Sequence, residues 1–402
     1  MKTDAIKRPV FNWLFRTRPD IFKPNMNTPF GCNPDSRANI MEVNMKSMVL
    51  FVACVFCFSL WCSDGSAGEP DTAIAVHHEW GKLKEVIVGI GDDLFVPSYC
   101  EAVSFIYDPK YIEQMKKYGG IDERKLAPED VKQAKEQIDN LARVLEKQGV
   151  IVHRSHRLSP EEMKYLDYVQ KGSHFFYARD PVLVIGNNVI ETSLCIPFKV
   201  KERYALRPIL RKRLAGSKAN YISMPVPSPV FGRDQIYLEG GDVLLNGRDI
   251  YVGISGRGSS PEGARWLQNF LGPEYRVQQI KLSPEFEHLD CVLSLVRPGL
   301  GVRCSQGIID ALPESIRNWD YVEVTKEEAK KLGANLLVLD DKTVIIDKQH
   351  HRIGEELKKK GIKVIEIPYD KVAINGGGLR CSHHPLIRES VLPSAPSKTE
   401  NR

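Results

Sequence analysis

Val182-Leu-Val-Ile-Gly-Asn-Asn-Val-Ile-Glu191 is two short apolar runs joined by a Gly-Asn-Asn turn. β-Branched residues on either side of turn chemistry of this kind make a β-hairpin. The theme returns in Asp242-Val-Leu-Leu-Asn-Gly-Arg-Asp-Ile-Tyr-Val252. It returns again in Cys291-Val-Leu-Ser-Leu-Val-Arg-Pro-Gly-Leu-Gly-Val-Arg303 and in Asn335-Leu-Leu-Val-Leu-Asp-Asp-Lys-Thr-Val-Ile-Ile346. The hairpins recur roughly every 45–60 residues, a period that indicates a radial or stacked array more than one open sheet. The plainer reading is an ordinary α/β domain with coincidental spacing.

Helical patterns fill the intervals. Residues 128–147 place Val131, Ala134, Ile138, Leu141 and Leu145 on one face, and Gly149 follows as a stop. Ala264–Leu271 and Ile353–Lys360 predict shorter helices, the second ended by Gly361. A strand at Glu85–Gly89 belongs with the long helix in a further unit. The expected fold is therefore α/β, with about five hairpin-plus-helix units over residues 71–390.

The ends of the chain read differently. Residues 1–40 carry Pro, Asn and Arg without a period and are expected to be disordered or not translated. Residues 41–68 contain an uncharged run, Met48–Cys62, with Lys46 before it and Gly65-Ser-Ala67 after it. Basic flank, short apolar core and small-residue exit have the form of a signal peptide. The run is shorter than the roughly 18–20 residues of a spanning helix. A translation start at Met41, Met45 or Met48 would bring it to the N-terminus. If the 46–67 segment is used, the protein is secreted or periplasmic; otherwise it is cytoplasmic. Residues 391–402 read as a disordered tail.

The chain has 402 residues, 42% of them hydrophobic and 27% charged, with a formal net charge of +5. That composition supports a sizeable core. The basic residues are scattered, so nucleic acid is not expected as a partner. Beyond the apolar run stand Cys100, Cys195, Cys291, Cys304 and Cys381, an odd number without a CxxC pair. No structural zinc site is expected, and at least one thiol should be free.

Four segments place polar residues where strand ends meet loops: Arg179-Asp180-Pro181, Glu239-Gly-Gly-Asp242, His288-Leu-Asp290 and Gly376-Gly-Gly-Leu-Arg-Cys381. Each has a bland reading as a turn, a surface pair or a buried small residue. In a radial array they converge, and carboxylates, an imidazole and a thiol then share a pocket suited to a cation. A guanidinium is planar, stays protonated and is bound bidentately by carboxylates. Its carbon is a poor electrophile, for which a thiolate kept ionised by a nearby imidazolium is a suitable nucleophile. The glycines before Cys381 would let the backbone approach the substrate.

In that order, the four motifs resemble the guanidino-group-modifying enzymes: amidinotransferases, arginine deiminases and dimethylarginine hydrolases. The resemblance covers about residues 74–390 and implies a five-bladed pseudo-symmetric α/β-propeller. It also implies roles. Cys381 is the nucleophile that binds the amidino carbon, and His288 is the acid and base. Glu239 is the catalytic acidic residue. Asp180 and Asp290 bind the guanidinium, with Arg179 and Asp242 beside them.

His78-Glu-Trp-Gly-Lys-Leu-Lys-Glu-Val-Ile-Val-Gly89 and Glu202-Arg-Tyr-Ala-Leu-Arg207 look like amidinotransferases, the nearest branch. Glu239-Gly-Gly-Asp242 is the hydrolase spelling, where glycine amidinotransferases have Asp-Ala-Ala-Asp. Glu285-Phe-Glu287 replaces their Asn-Pro-Met before the histidine; its acidic side chains would draw a cationic acceptor. The expected activity is transfer of the amidino group of arginine to an amine acceptor. The alternatives are hydrolysis to citrulline and an inactive guanidino-binding module. The expected partners are a small arginine-like guanidino substrate and the amine acceptor, without cofactor or metal. A homodimer stays open.

Overall fold

The computed structural model describes residues 73–390 except 106, 108, 169, 229–231 and 233. The segments 1–40, 41–68 and 391–402 read above lie outside the described residues. Among the described residues no helix is long and apolar enough to cross a membrane.

Among the described residues, fifteen strands form five three-stranded sheets. The first strands are β1 (Leu83–Val88) and β2 (Ile151–Arg154), which pair in parallel. The next sheet holds β3 (Val182–Ile185), β4 (Asn188–Glu191) and β5 (Asn220–Ser223). The third holds β6 (Val243–Asn246), β7 (Asp249–Ile254) and β8 (Arg276–Lys281). The fourth holds β9 (Leu293–Arg297), β10 (Leu300–Arg303) and β11 (Asp320–Glu323). The fifth holds β12 (Leu337–Asp340), β13 (Thr343–Asp347) and β14 (Lys363–Ile367). The last strand, β15 (His383–Arg388), returns to the first sheet and pairs antiparallel with β1.

The four hairpins read from the sequence are present with the expected turns. Gly186 turns the first at φ +58°, a conformation that costs glycine little. The third strand of each sheet runs parallel to the second hairpin strand, or to β1 in the first sheet. A parallel neighbour requires a crossover, and a helix supplies it. These helices are Pro128–Lys147, Val200–Leu214, Pro261–Leu271, Glu314–Arg317 and His351–Lys359.

Pro128–Lys147 shows why the local pattern succeeds. Pro128 opens the helix without wasting an N–H, Glu129 and Asp130 face its positive end, and Gly149 leaves it at φ +79°. Val131, Ala134, Ile138, Leu141 and Leu145 are all buried. They pack with Val86 and Val88 of β1 and with residues of β12 and β13 in one apolar cluster. Each large side chain buried this way contributes about 1.5–3 kcal/mol.

The repeat positions the chemistry. Glu239 lies four residues before the start of β6, and His288 and Asp290 five and three before β9, while Asp180 lies two before the start of β3 and Cys381 two before that of β15. Asn335 occupies the same place before β12. Among the described residues, each of the five sheets thus has a polar residue just before the edge strand that pairs antiparallel with its neighbour.

Candidate active site

Short 3₁₀ turns hold these entries. Asp242 N–H donates to Glu239 O at 3.0 Å, and Cys291 N–H to His288 O at 3.2 Å. Gly241 lets the two turns and Asp180 meet: a Cβ there would stand 2.7 Å from His288 Nδ1 and 2.9 Å from Asp180 Oδ1.

His288 is buried among carboxylates. Its Nε2 lies 2.8 Å from Glu239 Oε2 and 3.7 Å from Glu287 Oε1, and its Nδ1 lies 3.9 Å from Asp180 Oδ1. Burial alone would lower its pKa. Asp180, Glu287, Asp242 and the Glu239 hydrogen bond outweigh burial and hold the imidazole charged well above its ordinary range.

Lys199 completes the cluster. Its Nζ donates to Asp180 Oδ2 at 2.7 Å and to Glu239 Oε2 at 2.8 Å, and lies 3.7 Å from Glu287 Oε1. Burial opposes its charge, but Asp180 and Glu239 overcome it and raise its pKa well above that of an ordinary lysine. Burial also works against Asp180 and Glu239. Lys199 nonetheless keeps both below the usual carboxylate range, aided by His288. Backbone N–H groups of Gly241 and Cys195 donate to Asp180 and Glu239 at 2.8 Å each.

Cys381 is 7% exposed. Its Sγ lies 3.2 Å from Asn335 Nδ2 and 3.7 Å from Asp290 Oδ2. Burial, then Asp290 and Asp180, push the thiol well above its ordinary value; the Asn335 hydrogen bond works the other way. Asn335 Oδ1 accepts from the backbone N–H of Arg380 at 2.9 Å and of Cys381 at 3.2 Å. A single side chain thus fixes both the loop and the sulfur. Asp290 accepts from Arg380 Nη1 at 3.1 Å, and Arg380 also pairs with Glu79 at 3.1 Å.

A cavity of about 250 Å³ reaches this group, with Cys381, His288, Glu287, Phe286 and Cys291 in its wall. Asp180, Glu239 and His288 also offer ligand atoms within 4.8 Å of one another. The Lys199 ammonium on both carboxylates, beside a charged imidazole, makes that cluster a poor cation site.

A family model described as N,N dimethylarginine dimethylhydrolase, eukaryotic, matches residues 122–388. The chain belongs to this family. Mitochondrial glycine amidinotransferase of Xenopus tropicalis is 25% identical over 370 residues, covering 80% of this chain and 84% of that protein. Inosamine-phosphate amidinotransferase 1 of Streptomyces glaucescens is 26% identical over 348 residues, covering 79% and 98%. Among solved structures, inosamine-phosphate amidinotransferase StrB1 of Streptomyces griseus superposes with TM-score 0.68 at 24% identity, covering 80% of this chain and 98% of that one. SxtG, an amidinotransferase of Microseira wollei, superposes with TM-score 0.69 at 24% identity, covering 80% and 99%. The dimethylhydrolase family and these relatives make up one guanidino-modifying superfamily, and the chain's repeated hairpin units share its fold.

Several residues read from the sequence make contacts other than those expected. Arg179 faces away from the cavity: its Nε donates to Arg380 O at 3.2 Å and its Nη2 lies 3.2 Å from His383 Nε2. Asp242 accepts the backbone N–H of Ser259 at 2.8 Å and of Leu289 at 3.0 Å. It ties the His288 turn in place, and burial pushes its carboxyl up to about 7. Gly377 and Gly378 serve packing: a Cβ would meet the Tyr177 ring at 2.4 Å and Asn335 at 2.6 Å. Glu285 is turned away onto Lys326 and Lys330, so only Phe286 and Glu287 of its segment reach the cavity. Burial, then the Asp290 and Asp180 carboxylates, push the thiol up, where an imidazolium keeping it ionised was expected. Cys195, Cys291, Cys304 and Cys381 form no disulfide.

Lys199 and Asn335 were missed. Asn335 begins the fourth hairpin segment, and its place in the repeat was a usable signal. Nothing local marks Lys199.

Proposed function

We propose that the protein is a cysteine-dependent amidinotransferase, moving the amidino group of an arginine-like donor to an amine through a covalent amidino-Cys381. The observation that carries the reading is Cys381 and His288 in the wall of one cavity, with Glu239 and Asp180 held against the imidazole. Amidinotransferase relatives aligned over most of the chain support it. The reading includes the five sheets as blades around one axis; apolar clusters joining neighbouring sheets support that arrangement.

In this reading the donor guanidinium brings positive charge beside Sγ, reversing the upward push of Asp290 and Asp180, and the thiol releases its proton to solvent as the donor binds. The sulfur attacks the guanidinium carbon. The C–N bond to the alkyl chain breaks, and the departing amine takes a proton from His288, whose charge Glu239 stabilises. An incoming amine then attacks the amidino carbon, gives a proton back to His288, and expels Cys381 as thiolate.

Hydrolysis to citrulline is the second reading, favoured by the matching dimethylhydrolase family model. Incubation with guanidino-labelled arginine and candidate amines separates the two. Transfer predicts a new labelled guanidino compound and parallel double-reciprocal plots. Citrulline at full rate in saturating amine, with no guanidino product, would establish hydrolysis. Neither product, together with no labelling of Cys381 by a haloacetamidine, would leave a binding module.

A further inference from the structure

The chemistry proposed above leaves one proton unassigned. An aliphatic amine is an ammonium at neutral pH, because its pKa lies near that of a lysine, about 10.4. An ammonium has no lone pair and cannot attack the amidino carbon. The incoming acceptor must lose one proton before it attacks and a second as the C–S bond breaks. His288 takes only one of them, so a second proton acceptor has to face the same cavity.

Glu287 is held in that position. The Phe286 side chain is 1% exposed, in the apolar cluster of β9 and β10, and Ser255 Oγ donates to the Glu287 carbonyl at 2.6 Å. These contacts pin the backbone, while Lys326 and Lys330 hold Glu285 outward. The Glu287 side chain is buried, and it lines both the wide cavity and the narrower end of the site, where Asp180 and Lys199 stand. Among the described residues its carboxyl makes no hydrogen bond within 3.5 Å: His288 Nε2 and Lys199 Nζ each stand 3.7 Å from Oε1. A buried carboxyl left in this state is uncommon. Glu239 and Asp180 face it with like charge. Glu202, the Tyr107 hydroxyl and the thiols of Cys195 and Cys291 also face it. Burial, opposed by His288 and Lys199, pushes the Glu287 carboxyl above the usual carboxylate range, which suits a group that must carry a proton.

We propose that Glu287 is the proton relay for the exchange of amines at Cys381. The proposal rests on the amidinotransferase reading and deepens it. His288 gives the departing nitrogen the proton that lets the C–N bond break. The freed amine then takes the proton of Glu287 and leaves as an ammonium. The incoming ammonium returns a proton to Glu287 and becomes a free amine. Its lone pair forms the new C–N bond, its second proton goes to His288, and the electron pair of the C–S bond returns to Cys381. One proton thus shuttles on Glu287 and one on His288, and each turnover ends in the state from which it began. An acceptor that arrives uncharged has no need of the relay.

Two acceptors separate this role from a structural one. Ornithine is the amine that arginine itself releases, so exchange of isotopically labelled ornithine into arginine reads transfer to an ammonium. Hydroxylamine is uncharged at neutral pH, so formation of hydroxyguanidine reads transfer without the relay. Glu287→Gln should lower ornithine exchange relative to hydroxyguanidine formation by about 10²-fold or more at pH 7. The loss should shrink by about tenfold per pH unit as rising pH supplies free ornithine. Glu287→Asp keeps a carboxylate and should show a smaller loss of the same selectivity, which carries the test if Glu287→Gln does not fold. Equal losses with both acceptors, or a loss that does not change with pH, overturn the relay and leave transfer standing. Parent protein that forms neither product, while a haloacetamidine still labels Cys381, overturns transfer and the relay with it.

Discussion

The ammonium of Lys199 donates to Asp180 at 2.7 Å, so the carboxylate proposed to grip a guanidinium already holds a resident cation. The same nitrogen bonds Glu239 at 2.8 Å, behind His288. Lys199 thereby keeps a buried acidic cluster charged and in register before any substrate arrives.

Lys199→Met keeps most of the stem and removes the charge. Asp180 and Glu239 would then be buried with only His288 to balance them. Breaking a buried pair by deleting one partner costs about 3–5 kcal/mol. Lys199 holds both carboxyl pKa values down, so its contribution is present above the ordinary carboxylate range and is lost as pH falls. Urea denaturation should show a large deficit at pH 7 that shrinks as pH falls below the ordinary carboxylate range. An unchanged midpoint at pH 7 would remove Lys199 from this role.

Cys381→Ala should abolish turnover and leave the fold intact. The side chain is small, and Asn335 still holds the loop through the backbone N–H groups of Arg380 and Cys381. Loss of a nucleophile costs several orders of magnitude. Activity within about tenfold of the parent, measured with labelled arginine, would exclude Cys381 as the nucleophile.

His288→Asn should slow both the appearance and the decay of the amidino-cysteine, by about 10²–10⁴-fold each. The surrounding carboxylates keep the imidazole protonated above its ordinary range, so the parent enzyme should hold its proton donor through neutral pH and lose it only at higher pH. Rapid-quench mass spectrometry resolves the two phases. Normal rates for both would leave His288 a structural residue.

Glu191→Gln tests the clamp by which Arg203 and Arg207 tie the helix Val200–Leu214 to the end of β4. Burial would raise the Glu191 carboxyl, but hydrogen bonds from Arg207 and Tyr221 and the charge of Arg203 bring it down to about 2. Its stabilisation is present above the ordinary value of about 4.5 and is lost as pH falls toward 2. The substitution should cost about 1–3 kcal/mol at pH 7, allowing for partial solvent screening, and nothing near pH 2. Chemical denaturation across that range checks it. A constant deficit at every pH would mean that the charge contributes nothing.

The hairpins and the long helix were readable because their signals are local. β-Branched runs flank Gly, Asn and Asp turns, and Val131 to Leu145 repeat at helical spacing. The four motifs were readable for a related reason: each sits at the entry of a strand whose pattern is clear. The outer parallel strands were not readable. β5 and β8 lie at sheet edges and present mostly polar side chains to solvent, so the alternation that marks a half-buried strand is missing. Charge pairing was beyond reach as well. Arg380 meets Glu79 across 301 positions, and Lys199 lies 40 positions from Glu239. Whether such a lysine is a solvated surface group or the centre of a buried acidic cluster depends on what the other sheets bring to it. Strand and turn chemistry acts between neighbours in the chain, whereas desolvation and ion pairing act between neighbours in space.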